Sequence, residues 1–271
     1  MKVVLITNSS KSAKYLEHVI IQNGIDLVKV IRLTPKKQNS KNERLSKRLS
    51  ALLRFNLRIL KRRFLQITNK SLAFESKCKN HYNNKTSAYI DEKSKGSLNT
   101  SSETLEVDNV NSDIVVSELN KIAPDICVVW GTPIIKKNVL QTCQTFLNAH
   151  TSLLPYFKGT RSEFWQCLEN SPETVGVTFH KIDEGVDTGP IIEQIPQKKL
   201  TPFEPYNLRY QNSISIFENY PRIILSVISG KHNYSIQEKN DSFRTYKSAD
   251  ITIPKRVEFY QNLLQTQPIL N

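Results

Sequence analysis

The sequence has few cysteines, no long apolar run and no paired-cysteine motif. Its four cysteines, Cys78, Cys127, Cys143 and Cys167, include no C-x-x-C pair, so neither a zinc knuckle nor a thiol redox motif is present. No stretch approaches the roughly 20 apolar residues that a membrane-spanning helix needs. The apolar run at the N-terminus is too short for a secretory signal. These absences predict a reduced, cytoplasmic protein.

Glycine is scarce as well, with eight in 271 residues. A β-branched run at residues 2–7 is followed by helical spacing at 15–20 and by a second apolar run at 25–33. This order predicts a βαβ unit, whose parallel strands need helices on both faces of the sheet. The turn after the first strand lacks a G-x-G-x-x-G fingerprint, which argues against a dinucleotide-binding unit.

Acidic residues are too few to balance the basic ones. The formal net charge is +13, and residues 36–63 hold eleven Lys or Arg against one Glu. Apolar residues recur there at roughly helical intervals, which predicts a basic amphipathic helix over residues 36–65. Three roles stay open for this helix: packing on the domain with its charges in water, binding an anionic membrane surface or a partner, and, less expected, binding nucleic acid.

The segment 35–109 interrupts the α/β pattern because it is polar and rich in Lys, Asn and Ser. We expect it to be a basic helical and flexible insertion, with residues 78–109 forming a flexible loop. Strands and helices return beyond it, with strands predicted at 126–130, 146–148, 176–180 and 189–195 and helices at 112–122, 162–169 and 206–229. The expected domains are a discontinuous α/β domain (1–34 and 110–232), the insertion (35–109) and a C-terminal extension (233–271).

The motif with the clearest chemistry is NAHTSLLPYFKGT at residues 148–160. Asn148 and His150 fall where a predicted buried strand ends, and functional groups collect at the carboxyl ends of parallel strands. Residues i and i+2 of an extended segment project to the same side, so an amide and an imidazole face one pocket. Ser152 lacks the G-x-S-x-G context of a nucleophile and is expected to hydrogen-bond within its own loop.

An amide and an imidazole without a Ser or Cys nucleophile suit acyl transfer to an amine, because the amine is itself the nucleophile. Attack on a formyl carbon produces an oxyanion, to which an Asn N–H and a protonated His can donate. The His needs a carboxylate to hold its ring. The loop at 181–192, KIDEGVDTGPII, offers Asp183, Glu184 and Asp187, and we expect Asp187, which lies between two glycines, to be that carboxylate.

NAHTSLLPYFKGT followed by GVTFHKIDEGVDTGPII resembles the catalytic core of the 10-formyltetrahydrofolate-dependent formyltransferases. This family includes glycinamide ribonucleotide, methionyl-tRNA and nucleotide-sugar N-formyltransferases, and PDICVVWGTPII at residues 124–135 is similar to its strand and loop beside the folate. The resemblance implies an α/β, Rossmann-like formyltransferase fold with a mostly parallel central sheet flanked by helices. It also implies 10-formyltetrahydrofolate as the formyl-donating cosubstrate, and no metal.

The resemblance also implies roles for individual residues. The family's Asn-x-His pair maps onto Asn148 and His150, and its catalytic Asp maps onto Asp187. Lys158 and Arg161, near the expected entrance of the amine, are candidates for binding a phosphate or pyrophosphate, with solvated loop charges as the alternative. The implied folate pocket is formed by the backbone of two loops: Gly131, Thr132, Pro133, Ile134, Ile135, Ile182, Asp183, Glu184, Gly185 and Val186.

We therefore expect a one-carbon (formyl) transferase that uses a small-molecule primary amine as acceptor, first of all the amine of a nucleotide-linked amino sugar. Methionyl-tRNA is the alternative acceptor, in which case the basic segment would bind phosphates. Water as the acceptor would instead make the protein a 10-formyltetrahydrofolate hydrolase. For His180, both support of the site and simple packing stay open.

Overall fold

The structure is a computed structural model that describes residues 1–34, 69–98, 100, 102–238 and 243–266. The chain divides into two compact units, one formed by Met1–Thr34 with Tyr82–Ser248 and the other by Pro35–His81 with Ala249–Asn271. The predicted basic helix over residues 36–65 lies outside the described residues.

The first unit is built around a seven-stranded sheet. Its strands are β1 (Val3–Asn8), β2 (Leu27–Leu33), β3 (Thr104–Val107), β4 (Ile126–Trp130), β5 (Phe146–His150), β7 (Gly176–Lys181) and β8 (Ile191–Pro196), and β6 (Lys158–Gly159) pairs separately with β9 (Thr245–Tyr246). The order is β3-β2-β1-β4-β5-β7-β8, in which the first five strands are parallel, β7 is antiparallel to β5, and β8 is antiparallel to β7. The predicted mostly parallel α/β sheet is confirmed.

Helices flank this sheet, and side-chain caps define where two of them begin. Among the residues that the structure describes, the helices are α1 (Lys11–Gln22), α2 (Lys70–Lys93), α3 (Asp113–Ile122), α4 (Lys137–Leu140), α5 (Ser162–Leu168), α6 (Pro205–Ile228) and, in the second unit, α7 (Ile253–Thr266). Before α1, the Ser10 hydroxyl accepts the Ala13 N–H. Before α6, the buried Glu204 carboxylate accepts two N–H groups of the first turn. Each cap satisfies donors that a helix start leaves unpaired.

Alternate residues of β1 bury into two different apolar clusters. Val3 and Leu5 belong to a cluster that includes residues of α1 and α6, whereas Val4 and Ile6 belong to a cluster that includes residues of α3. The strand is therefore covered on both faces, which explains its continuous apolar run. From α6, the buried Tyr220 hydroxyl donates to the carbonyl of Leu147 in β5 at 2.8 Å and lies 3.2 Å from the carbonyl of Val129 in β4.

The prediction of a flexible loop over residues 78–109 is wrong. The helix α2 continues to Lys93, and β3 follows as the edge strand beside β2. Tyr82 and Ile90 lie two helical turns apart and are both buried, whereas the residues between them are mostly polar and none of them is buried, which conceals the pattern. The predicted domain boundaries differ accordingly, because the first compact unit includes residues 82–109 and 233–248.

In the second unit, the described residues come from 69–81 and 249–266. Phe74 packs edge-on against Tyr260, with 6.2 Å between the ring centroids, and Tyr260 is fully buried. The Arg256 Nε atom donates to both carboxylate oxygens of Glu75, at 3.1 and 3.0 Å. Within the described ranges, no helix is long and apolar enough to cross a membrane.

Candidate active site

A cavity of about 650 Å³ opens where β4 and β5 end, beside the loop between β7 and β8. Asn148, His150 and Asp187 all line it. The strand β5 continues through His150 rather than ending at Asn148, so both side chains are presented from the strand itself. The two distant motifs therefore meet in one cavity, as their residue types and the spacing i, i+2 predict.

The residues expected to bind the folate lie in two loops that follow β4 and β7. We call these loops, residues 131–135 and 182–187, the strand-end loops. All of Gly131–Ile135 line the cavity, and so do Ile182, Asp183, Gly185 and Val186. Glu184 is not among the lining residues. Its carboxylate is exposed and pairs with Lys137 at 2.9 Å, a contact that raises the pKa of Lys137.

His150 lies between a backbone carbonyl and the carboxylate of Asp187. Its Nε2 atom is 2.7 Å from the carbonyl oxygen of Phe157, and its Nδ1 atom is 3.4 Å from Asp187 Oδ2. Because a carbonyl oxygen only accepts, Nε2 carries a proton in this arrangement.

Asp187 is fixed in an uncommon backbone conformation. Its φ is +54°, in the left-handed region that few residues other than glycine adopt. The Gly159 N–H donates to Asp187 Oδ2 at 2.8 Å. Gly159 itself has a φ of +97°, and a Cβ atom there would overlap the carbonyl oxygen of Tyr246. The approach of β9 to β6 therefore needs glycine at this position.

Asn148 is held by a second histidine, His180. The Asn148 Nδ2 atom is 3.1 Å from His180 Nε2, and His180 Nδ1 donates to the Lys181 carbonyl at 2.8 Å. With its proton on Nδ1, a neutral ring accepts the Asn148 amide through Nε2. Burial lowers the pKa of His180 and favours this neutral form, although the Asp187 carboxylate, 3.7 Å from Nε2, opposes the shift. His180 therefore contacts the site directly.

Hydroxyl groups organise the loop that follows β5. The buried Ser152 donates to the Phe157 carbonyl at 2.9 Å, within its own loop. Thr178 donates to the Ser152 carbonyl at 2.7 Å and accepts the Leu154 N–H at 3.0 Å. These bonds hold Phe157, whose carbonyl also binds His150, so the loop supports the position of the His150 ring.

The two basic residues that were expected to bind the acceptor do not line the cavity. Neither Lys158 nor Arg161 is among the lining residues. Arg161 adopts a φ of +59°, and its guanidinium lies 5.0 Å from the centroid of the Phe164 ring. The basic residue that does line the cavity is Lys247, which follows β9.

The lining from residues 245–248 was missed by sequence reasoning. Tyr246 packs against the rings of Phe157 and Trp165, with centroids 5.1 and 4.9 Å away, and its hydroxyl bonds to Glu169 at 3.0 Å. Burial, together with Glu169, raises the pKa of Tyr246 to about 12. No local pattern in the sequence predicts these contacts, because the residues that contact Tyr246 lie about 80 residues earlier in the chain.

No group of three or more potential metal ligands occurs in the part of the chain that the structure describes.

Comparisons with known proteins agree with this geometry. The model of the formyl transferase family matches residues 1–200. Methionyl-tRNA formyltransferase of Thermosipho melanesiensis is 29% identical over 147 residues, which cover 51% of this chain and 47% of that protein. The match therefore spans less than half the length of this relative.

Solved structures of formyltransferases share the fold, and two of them show the extent of the likeness. Glycinamide ribonucleotide transformylase 1 from Symbiobacterium toebii has a TM-score of 0.53 at 17% identity, covering 88% of this chain and 94% of that one. The N-formyltransferase from Helicobacter canadensis, solved with folinic acid and dTDP-3-aminofucose, has a TM-score of 0.52 at 18% identity, covering 96% and 79%. At these identities the structures establish the fold alone. The family match confirms the resemblance, and the chain belongs to the formyl transferase family of enzymes.

Proposed function

We propose that the protein transfers a formyl group from 10-formyltetrahydrofolate to the primary amine of a nucleotide-linked amino sugar. One observation carries the proposal: the Asn148 amide, the His150 ring and the Asp187 carboxylate line a single cavity, with His150 Nδ1 3.4 Å from Asp187. The cavity volume of about 650 Å³ falls in the range of roughly 300–1,000 Å³ that is typical of small-molecule sites.

In this proposal the formyl donor binds between the strand-end loops. Backbone groups of residues 131–135 and 182–186 supply hydrogen bonds to the pteridine ring, and Ile135 and Ile182 offer apolar contact. The Glu184 side chain takes no part, because its carboxylate pairs with Lys137. The related enzyme from Helicobacter canadensis was solved with folinic acid, a formylated folate, which supports this choice of donor.

The proposed reaction begins when the acceptor amine attacks the formyl carbon. A new C–N bond forms, and the carbonyl oxygen becomes an oxyanion. The second N–H of Asn148, whose first is bound to His180, donates to this oxygen, and the positive charge of His150 stabilises it. Asp187 holds that charge in place and accepts the proton of the attacking amine through water. The bond to the folate nitrogen then breaks, and that nitrogen takes up a proton as it leaves.

The acceptor is proposed to enter past Gly159 and the segment 245–248. Lys247 lines this part of the cavity directly after β9, and Lys158 belongs to β6, which pairs with β9. Cations at the entrance favour an acceptor that carries phosphates. Lys158 and Arg161 are retained here as residues that attract the nucleotide rather than as lining of the cavity. The sugar nucleotide in the Helicobacter canadensis structure is a relevant precedent.

Methionyl-tRNA is the second candidate acceptor. It is favoured by the curated relatives that match this chain and by the net charge of +13. In that case the basic segment 36–65 would bind phosphates, and transfer would weaken steeply as salt rises. If the segment instead binds anionic membranes, its deletion would abolish vesicle binding and leave transfer intact. A hydrolase would release formate without any amine acceptor.

The test is to incubate the protein with 10-formyltetrahydrofolate and a panel of amino-sugar nucleotides, with methionyl-tRNA in parallel, and to follow products by mass. We expect one formyl group to be added to a sugar nucleotide, at a rate that changes little between low and moderate salt. Formylation of methionyl-tRNA alone would overturn the choice of acceptor. Formate release that is independent of every amine would replace transfer by hydrolysis.

A further inference from the structure

A segment beyond the family match contacts the loop that presents Asp187. We call residues 231–238 and 243–248 the C-terminal strap. In its first part, Ser235 forms an antiparallel bridge with Ile191, through N–H to carbonyl bonds of 2.8 Å in both directions. Two residues later, the side-chain amide of Gln237 donates to the carbonyls of Asp187 at 3.0 Å and of Gly189 at 2.7 Å. The strap is therefore bonded to the backbone of the catalytic loop.

The Gln237 amide is suited to this contact. Its nitrogen carries two hydrogens, and each can be directed to one of the two carbonyl oxygens. Gln237 is only 9% exposed, so water competes poorly for these bonds. A side chain of similar size that has no donor would remove both hydrogen bonds to the carbonyls. A carboxylate would place its negatively charged oxygens against the carbonyl oxygens.

Asp187 needs an external restraint because its backbone conformation is intrinsically unfavourable. At a φ of +54°, a residue with a side chain tends to relax toward negative φ unless its surroundings prevent it. Such a change would rotate the carboxylate away from His150. The hydrogen bond from Gln237 to the Asp187 carbonyl fixes the peptide group on the C-terminal side of that residue.

The second part of the strap restrains the carboxylate end of the same residue. Thr160 N–H donates to the Tyr246 carbonyl at 3.0 Å, and β9 pairs with β6 at Lys158 and Gly159. This pairing orients the Gly159 N–H, which donates to Asp187 Oδ2 at 2.8 Å. The strap thus acts on Asp187 twice, through its backbone and through its carboxylate.

We propose that Gln237 is a positioning residue for Asp187, and that the C-terminal strap completes an active site whose catalytic groups all lie within residues 1–200. The proposal rests on the role assigned to Asp187 in the proposed function. Gln237 acts by holding the loop between β7 and β8 in the conformation that places the carboxylate against His150. It makes no contact with the reacting atoms.

The test compares Gln237→Met, which keeps the size of the side chain and removes its donors, with Gln197→Met. Gln197 is a matched control, because it is a half-buried amide whose Nε2 donates to the Gln211 carbonyl at 3.3 Å, away from the cavity. Gln237→Asn keeps the amide but shortens its reach, and it provides a second variant if the first fails to fold. Hydrogen exchange of residues 182–189 is measured together with kcat and KM for the acceptor identified with the wild type.

For Gln237→Met we expect exchange in the loop to be about tenfold faster. We expect kcat to fall about 10- to 100-fold, because misplacing a catalytic group by about 1 Å has effects of this size. KM should stay within about threefold of wild type, because the interactions that bind the ground state are retained. Gln197→Met should change none of these quantities.

Two results would overturn the proposal: unchanged exchange in the loop, or faster exchange with a wild-type kcat. If Gln237 only stabilises the fold, Gln237→Met should lower the melting temperature and leave kcat per folded molecule at the wild-type value. If the wild type formylates no amine at all, the proposed function fails. The exchange measurement then still decides whether Gln237 holds the Asp187 loop.

Discussion

The strand-end loops and the C-terminal strap both line the cavity, but different interactions hold them. The strand-end loops continue from β4 and β7 and are anchored by the backbone ladders of the central sheet. The strap depends on one isolated bridge, the Gln237 amide and the two-residue pairing of β6 with β9. Fewer backbone hydrogen bonds mean that the strap opens at lower cost.

This difference suggests a division of labour within the site. In the proposed function, the strand-end loops present Asp187 and the groups that bind the formyl donor, and their positions follow from the sheet. The strap adds Thr245–Ser248 to the lining and restrains Asp187 through contacts that substitution can alter without disturbing the core. We therefore expect changes in the strand-end loops to abolish activity, and changes in the strap to reduce it and to alter acceptor preference.

The largest effect is expected at Asp187. Asp187→Asn keeps the size of the side chain and removes the charge that faces His150 at 3.4 Å. Loss of this proton acceptor should lower the single-turnover rate of formyl transfer about 10²–10⁴-fold. The control is Asp91→Asn, which removes an exposed carboxylate paired with Lys11. A rate within threefold of wild type for Asp187→Asn would contradict the assignment.

A smaller effect is expected where the strap meets the site. Gly159→Ala places a Cβ atom against the Tyr246 backbone, at a φ of +97°, and should separate β9 from β6. Because the Gly159 N–H would move from Asp187, we expect kcat to fall about 10- to 100-fold. Gly230→Ala is the matched control: its φ of +66° imposes similar backbone strain, but nothing lies within 4 Å of the added carbon. Equal activity losses in the two variants would argue against a role for the strap.

Because His180, which contacts the Asn148 amide, is buried, we expect the stability of the fold to depend on pH. Burial lowers the pKa of His180 below its ordinary value of 6.5, against the opposing effect of Asp187 and with a further lowering by His150. Below pH 6.5 the unfolded chain therefore binds a proton that the folded chain resists. The free energy of unfolding should fall as pH drops, by up to about 1.4 kcal/mol per pH unit from this group.

Urea denaturation of wild type and His180→Gln at pH 7 and pH 5 measures this contribution. The neutral amide cannot take up a proton, so the variant should lose less stability than wild type between the two pH values. Parallel losses in both proteins would show that His180 is not a buried neutral ring.

The smallest effect is expected at the hydroxyl of Tyr246. Tyr246→Phe keeps the ring packed on Phe157 and Trp165 and removes the hydroxyl that bonds to Glu169. Loss of one such hydrogen bond should cost about 1–2 kcal/mol of stability, measured by urea denaturation, with kcat close to wild type. A tenfold loss of kcat would mean that the hydroxyl, and not only the ring, shapes the site.

Much of the sheet could be predicted because its strands are apolar runs buried on two faces. The strand β4 was predicted with its bounds, and β1, β2, β7 and β8 to within about two residues. The edge strand β3 was missed because it is four residues long and mostly not buried, so its pairing with β2 leaves no apolar pattern. The helix α2 was missed for a related reason, because polar residues dominate its exposed face.

The candidate site, like the sheet, could be predicted only in part from the sequence. The structure brings Asn148, His150 and Asp187 to one cavity, and their catalytic roles stay predictions. The first two were predicted from their i, i+2 spacing on a strand, and the third from its position between two glycines. Gln237 and Tyr246 were not, because their contacts span 50 to about 90 residues and leave no local signal. Lys158 and Arg161 were predicted from their positive charges; neither lines the cavity, the Arg161 guanidinium lies 5.0 Å from the centroid of the Phe164 ring, and their role in binding phosphate stays a prediction.

The most direct test of the account is a double-variant cycle on the single-turnover rate of formyl transfer, using Asn148→Ala, Asp187→Asn and the combined variant. Groups that act on one carbonyl carbon are strongly non-additive. The account predicts a large loss in each single variant and little further loss in the combined one. Losses that multiply, or the absence of loss in either single variant, would contradict the convergence of these side chains on one reacting centre.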